Sequence, residues 1–137
     1  MSDDLLLDTC VLVFSSTGVK MSEDGLNVLE EALGADTAFV SPISAWEIGR
    51  AMSLGRIASP LSPLEFYRRF VGLDGVEQCD MPPEVLVSSS YLPGELHRDP
   101  MDRILVATAR EYDMTILTRD RAILDYAAAG HVKALAC

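Results

Sequence analysis

Residues 96–124 read LHRDPMDRILVATAREYDMTILTRDRAIL, and how this stretch folds decides the architecture of the chain. Asp99 carries the short oxygen-bearing side chain of a helix N-cap, and Pro100 suits the first helical position because its missing N–H would be unpaired there anyway. Asp102 falls at the third position, a capping box with Asp in place of Glu. Met101, Ile104, Leu105, Thr108, Ala109 and Tyr112 recur at helical spacing, with Arg103, Arg110, Glu111 and Asp113 opposite, so a helix is expected from about residue 100 to 112. The run MTILT at 114–118 follows at once. Short, apolar and partly β-branched, it reads as a buried strand after a crossover helix, one unit of a parallel sheet. Asp120 lies just past that strand's carboxyl end, placed to cap a further helix over about 121–128. Capping accounts for Asp99, and for Asp102 and Asp120 about as well, so this stretch leaves a structural and a functional reading open side by side.

The same pattern recurs upstream. The run LLL at 5–7 has the character of a central parallel strand buried on both faces, with Asp8 at its carboxyl end and Thr9 next; a helix cap is the plain alternative for this pair. After VLVF at 11–14, residues 15–18 are expected to form a loop, with Lys20 near its far end. Ser22 caps a helix reaching Leu33, with Glu23 and Asp24 in its first turn, and Gly34 ends it. A second strand at 37–40 leads into a helix over about 43–54 that carries Trp46 and sets Glu47 about a turn beyond the strand. A favourable dipole interaction is the bland explanation for that glutamate.

Pro60 and Pro63 mark a loop before a helix over 63–71, where Leu64, Phe66, Tyr67 and Phe70 stand close together beside Arg68 and Arg69. With Ile43, Trp46 and Ile57 these aromatic residues are either core or an apolar groove for a partner. An extended segment at 76–79, a helix at 82–91, a turn at 92–94 and a last, edge strand at 132–135 complete the chain. The order, βαβααβαβαβ in outline, implies one domain over residues 1–137: a three-layer α/β/α fold with a mainly parallel sheet.

Composition agrees. The chain has 137 residues, 49% of them hydrophobic, enough for a real core without disulfides or a structural metal. Cys10, Cys79 and Cys137 are odd in number and widely spaced, which argues for a reducing compartment and against zinc. The N-terminal apolar run is too short to span a bilayer and follows acids rather than basic residues, so a cytoplasmic protein is expected. A net charge of −10 argues against indiscriminate binding to nucleic acid, but not against a nucleic-acid substrate held through metal ions. Arg98, Arg103, Arg119 and Arg121 flank the acids and give that region a local charge of its own.

Asp8, Glu47 and Asp120 all fall at or just beyond the carboxyl end of an expected strand, while Asp99 and Asp102 open the helix before another. That edge is where open α/β sheets bind ligands. If Asp8, Glu47, Asp102 and Asp120 converge to within ~6 Å, each ionised pair repels by roughly 3 kcal/mol at an effective dielectric of 20. Six such pairs exceed the ~5 to 15 kcal/mol by which a whole domain is stable, so the cluster needs a counterion. Oxygen ligands without His or thiolate select Mg²⁺ or Mn²⁺, whose bound waters deprotonate readily and which neutralise charge on a phosphodiester oxygen. Metal-assisted phosphodiester hydrolysis is the chemistry expected.

With these residues in place, the chain resembles the PIN-domain ribonucleases, most closely the VapC-type toxins of bacterial and archaeal toxin–antitoxin pairs. The resemblance spans nearly the whole length, through LLLDTCVL at 5–12, SPISAWEIG at 41–49, LGRI at 54–57, LPGELHRDPMDRILVATA at 92–109 and TILTRD at 115–120. It implies that Asp8, Glu47, Asp102 and Asp120 are the metal-binding catalytic acids, that Asp99 is a further acid of the subgroup, and that Thr118, with Thr9 in support, lies near the metal. Cys10 stands where relatives often have His, and Phe14 where they often have Trp. Also implied are an RNA substrate cut in single-stranded or loop regions, a homodimer, and a cognate antitoxin covering the site. The aromatic helices around Trp46, Phe66, Tyr67 and Phe70 are then expected to receive that antitoxin, and Lys20, Arg50, Arg98, Arg103 and Arg119 to position phosphates. A non-catalytic binding module of the same fold stays open. An aspartyl-phosphate domain is disfavoured, because Cys10 stands where a second Asp would be needed and no Lys follows a late strand in the required place.

Overall fold

A computed structural model describes residues 4–137. In chain order the elements are β1 (Leu5–Leu7), α1 (Thr9–Thr17), α2 (Glu23–Gly34), β2 (Ala38–Val40), α3 (Ile43–Ser53) and α4 (Pro63–Val71). There follow β3 (Val76–Gln78), α5 (Pro83–Ser88), α6 (Pro100–Tyr112), β4 (Thr115–Thr118), α7 (Arg121–Ala128) and β5 (Lys133–Ala136). The strands lie in the order β3-β2-β1-β4-β5, and every pairing is parallel. Parallel neighbours cannot be joined by a tight turn, so each connection must cross a face of the sheet, and here the crossings are helical.

The three layers follow from the period of two along a strand. In β1, Leu5 and Leu7 face one core with Val11, Leu12, Val40 and Ile48, whereas Leu6 faces the other with Leu105, Val106, Ile116 and Ile123. Burial on both faces is why β1 reads as an unbroken apolar run and takes the centre of the sheet. The expected strand β5 is indeed at an edge.

The expected outline omits α1 and writes one helix between β3 and β4, although the helices expected at 82–91 and 100–112 both form, as α5 and α6. Residues 15–17 are helical rather than loop: Asp8 caps the helix, Val11 and Leu12 bury their side chains, and the helix stops only at Gly18, whose φ of +76° suits glycine. A four-residue apolar run cannot by itself declare a period, and here tertiary burial chose the helix. Helix α5 is shorter than expected, ending at Ser88.

The groove expected around α4 is not there. Phe66, Tyr67 and Phe70 are 4%, 4% and 5% exposed and belong to the core against α3 and β3, with the Tyr67 hydroxyl donating to Gln78 Oε1 at 2.6 Å. Spacing at 66, 67 and 70 puts one stripe of a helix to the interior, and the long helix-opposed sheet gives it somewhere to go. Of the four aromatic residues only Trp46, 52% exposed, faces outward. Replacing Phe70 by Ala is therefore expected to cost about 3–5 kcal/mol in denaturant unfolding, whereas Trp46→Ala changes stability by no more than about 0.5 kcal/mol. Equal losses would contradict this division.

Candidate active site

Because all strands run the same way, residues just past their ends meet at one edge. Asp8 follows β1 and Thr118 closes β4, and the two strands are neighbours with Leu7 level with Leu117. The Thr118 hydroxyl donates to Asp8 Oδ2 at 2.6 Å, and the Thr9 N–H donates to Asp8 Oδ1 at 2.7 Å. Thr118 Oγ1 accepts in turn from the Asp120 N–H at 2.9 Å, so one hydroxyl fixes both acid-bearing turns. Asp120 also caps α7, accepting from the Ala122 N–H. Capping and clustering are thus compatible roles for the same carboxylate.

The other acids arrive on helices. Asp99 caps α6 through the Met101 N–H, which sets Asp102 in the first turn. Glu47 stands on α3, close enough to Thr9 for that side chain to favour its ionised form. The Thr9 hydroxyl also meets Ser44 Oγ at 2.8 Å.

The electrostatics show the convergence. Burial pushes the Asp8 carboxyl above the usual range, partly opposed by the Thr118 and Thr9 hydrogen bonds and reinforced by Asp120. Burial likewise raises Glu47, the Thr9 hydrogen bond opposes it, and the charges of Asp8, Asp99 and Asp120 add to it. Asp102 is pushed up to about 8, first by burial, then by its hydrogen bond with Asp120 and the charges of Asp120, Asp8 and Asp99. Asp8, Glu47, Asp102, Asp120 and Asp99 thus lie within electrostatic reach of one another at one edge of the sheet.

Among the described residues no Lys or Arg is in ion-pair contact with any of these carboxylates. Crowded, mostly half-buried acids without a Lys or Arg partner fit a hard divalent cation, which prefers oxygen donors and holds carboxylates together that would otherwise repel. Asp102 and Asp120 each present an atom within 4.8 Å of one another and of a His97 ring nitrogen.

His97 was not anticipated. Its Nε2 lies 3.0 Å from Asp102 Oδ2, while its Nδ1 accepts from the Asp99 N–H at 3.2 Å. The accepting Nδ1 leaves the Nε2–H to face Asp102, so the imidazole orients that carboxylate rather than adding a donor nitrogen. The one sequence signal was its place two residues before the helix cap. Ser44, fully buried, was missed too; it stands three residues before Glu47 on the same helix face.

Two of the expected phosphate-binding arginines are occupied otherwise. Arg103 donates to the Ser89 and Leu96 carbonyls at 2.8 and 2.9 Å, pinning the loop before α6. Arg119 donates to the Cys137 carbonyl and to the Lys20 carbonyl, each at 2.9 Å, and lies 4.2 Å from the Phe14 ring. Both clamp backbone oxygens, Arg103 half-buried and Arg119 with much of its side chain still exposed. Lys20, Arg50 and Arg98 are exposed. Cys10 packs beside Cys137, and Phe14 lies beneath Arg119, so the two unusual residues of the first helix line one wall near the acids.

Fold and site together define a class: three-layer α/β proteins that gather carboxylates at the C-terminal edge of a parallel sheet. The PIN domain family profile matches residues 5–129, and the chain belongs to that family of nucleases. Among solved structures it is similar to VapBC2 from Rickettsia felis bound to a promoter DNA fragment, with TM-score 0.69 and 16% identity over 96% of this chain and 97% of the other. It is also similar to DNA-bound VapBC from Salmonella typhimurium, with TM-score 0.65 and 13% identity over 98% of each chain. FitAcB from Neisseria gonorrhoeae gives TM-score 0.62 and 15% identity over 96% of each. Comparison with curated protein sequences finds no match.

A carboxyl whose pKa rises on folding keeps its proton in the folded protein where the unfolded chain has lost it, so stability falls as pH rises from 3.8 towards about 8. The metal-free protein is expected to melt at a lower temperature at pH 8 than at pH 5.5. Mn²⁺ is expected to restore the loss, and Asp102→Asn to flatten the decline. A melting temperature insensitive to both pH and Mn²⁺, read by calorimetry, would count against the cluster.

Proposed function

We propose that this protein is a Mg²⁺- or Mn²⁺-dependent endoribonuclease, the toxin of a toxin–antitoxin pair, and that it acts in the cytoplasm as a homodimer restrained by a cognate antitoxin protein. Residues 1–137 act as one unit in this reading. The observation that carries it is the gathering of Asp8, Glu47, Asp102 and Asp120, with raised pKa values where resolved and, among the described residues, no Lys or Arg in ion-pair contact with them. Membership of the PIN domain family supports nuclease chemistry, and likeness to VapBC and FitAcB complexes supports the toxin role. No helix among the described residues is long and apolar enough to cross a membrane.

Asp8, Asp102 and Asp120 would hold the ion, with Glu47 and Asp99 completing the ring of acids. A bound divalent cation would supply an activated water and offset negative charge developing on the phosphate. The chain's own work is positioning. Thr118 holds Asp8 Oδ2 in a fixed direction, and His97 holds Asp102 Oδ2, so neither carboxylate must reorganise when substrate arrives. Glu47, influenced by the Thr9 side chain and by Asp8, Asp99 and Asp120, would act as a further acid of the site, taking up a proton released by water there. Lys20, Arg50 and Arg98, all exposed, would contact RNA phosphates. Arg103 and Arg119 would act indirectly, by holding the loops that carry His97 and Lys20.

Purified protein freed of any partner is expected to cut a mixed pool of structured RNA with Mg²⁺ or Mn²⁺ and to stop in EDTA. Asp8→Asn is expected to lower the rate by about a hundredfold or more, the scale on which losing one preorganised electrostatic group acts. Cleavage that survives either treatment would refute the assignment, as would none at all from folded wild-type protein.

A further inference from the structure

Beside the acids lies a groove of about 470 Å³, bordered by Trp46, Glu47, Arg50, Arg56, Asp99 and Met101. Its size falls within the range of sites that enclose a small organic group. Trp46 leaves 52% of its surface open, and the Arg50 guanidinium carbon lies 5.5 Å from the indole centroid, a cation–π contact that steadies the ring. A large aromatic side chain left exposed on a helix whose other face is buried is not explained by packing: Ile48 and Ser44 on α3 are fully buried. Two walls of the groove, Glu47 and Asp99, belong to the acid site itself, so whatever fills the groove is continuous with the reacting position. Arg50 and Arg56 add positive charge there on a chain whose net charge is −10.

We propose that this groove is a nucleotide subsite for single-stranded RNA, with Trp46 as the platform on which one unpaired base stacks and Arg50 and Arg56 as contacts to the adjoining phosphates; the proposal rests on the nuclease reading above. The occupant follows from the combination of surfaces. A flat aromatic ring accepts the face of any base, guanidinium groups bind phosphate, and Glu47 and Asp99 of the acid site, which would hold the cation, border the same groove. Bases in a duplex have no free face to offer, so Trp46 selects for unpaired segments. A peptide could use the indole, but it would not call on two arginines beside a cation site in the same way that a sugar–phosphate chain does. Trp46 is thus a positioning and specificity-determining residue.

Trp46 is the chain's single tryptophan, so its emission reports the groove alone. The test uses Asp8→Asn protein in Mg²⁺, to keep substrate intact, titrated with a single-stranded RNA, the same strand in a duplex, and a strand with abasic sugars. The single strand is expected to quench the emission about twofold and the other two to leave it nearly unchanged. Trp46→Ala in that background is expected to weaken single-strand binding about tenfold, by anisotropy of labelled RNA, and Trp46→Phe to restore most of it. Arg50→Ala is expected to reduce the slope of log affinity against log salt by about 1. Unchanged emission with RNA fully bound would overturn the proposal, as would undiminished binding by Trp46→Ala. Quenching by a cognate antitoxin peptide but not by RNA would assign the groove to a protein and likewise overturn it. Wild-type cleavage without quenching removes the subsite and leaves the nuclease; quenching without wild-type cleavage keeps the subsite and removes the nuclease.

Discussion

A hydrogen bond of 2.6 Å from the Thr118 hydroxyl to Asp8 joins the ends of the two central strands, and the site is built outward from it. Parallel pairing brings both strand ends to the same edge, and the next residues must turn away into helices. Turning requires caps, caps favour aspartate, and several such turns side by side crowd carboxylates together. What would be an electrostatic fault in a structural protein is, in the proposed reading, the place for a divalent cation. The Thr118 hydroxyl holds Asp8 while the same oxygen accepts from the N–H of Asp120, two residues on. Each acid therefore has both a local structural partner and a place in the cluster.

Much of this is legible in the sequence. Leu5, Leu6 and Leu7 declared a doubly buried strand, Asp99–Pro100 declared a helix start to the residue, and the acids' positions relative to expected strand ends predicted their meeting. These signals are local, or depend only on the rule that parallel strands share a direction. Side chains whose role depends on distant partners were harder to read. Phe66, Tyr67 and Phe70 carry the same spacing whether they face a core or a groove, and only their contact with α3 and β3 decides between the two.

The basic residues teach the same lesson. Arg103 and Arg119 stand next to catalytic candidates in the sequence, yet their guanidinium groups meet carbonyls at Ser89, Leu96, Lys20 and Cys137, up to 99 residues away. No spacing rule foretells such a contact. His97 is the reverse case, since it sits in plain view two residues before the cap. Its role emerges only because the cap's own N–H occupies Nδ1 and so directs the opposite nitrogen towards Asp102. A buried aspartate pushed up to about 8 is consistent with a group that waits for a positive charge rather than one satisfied by its protein surroundings.

The claim on which all else rests is that these acids form one divalent-cation site. Anomalous diffraction from crystals soaked in Mn²⁺ tests it most directly. The account predicts a manganese peak within coordination distance of Asp8 and of Asp102 or Asp120. Manganese bound elsewhere on the protein, with none between these carboxylates at neutral pH, would contradict it.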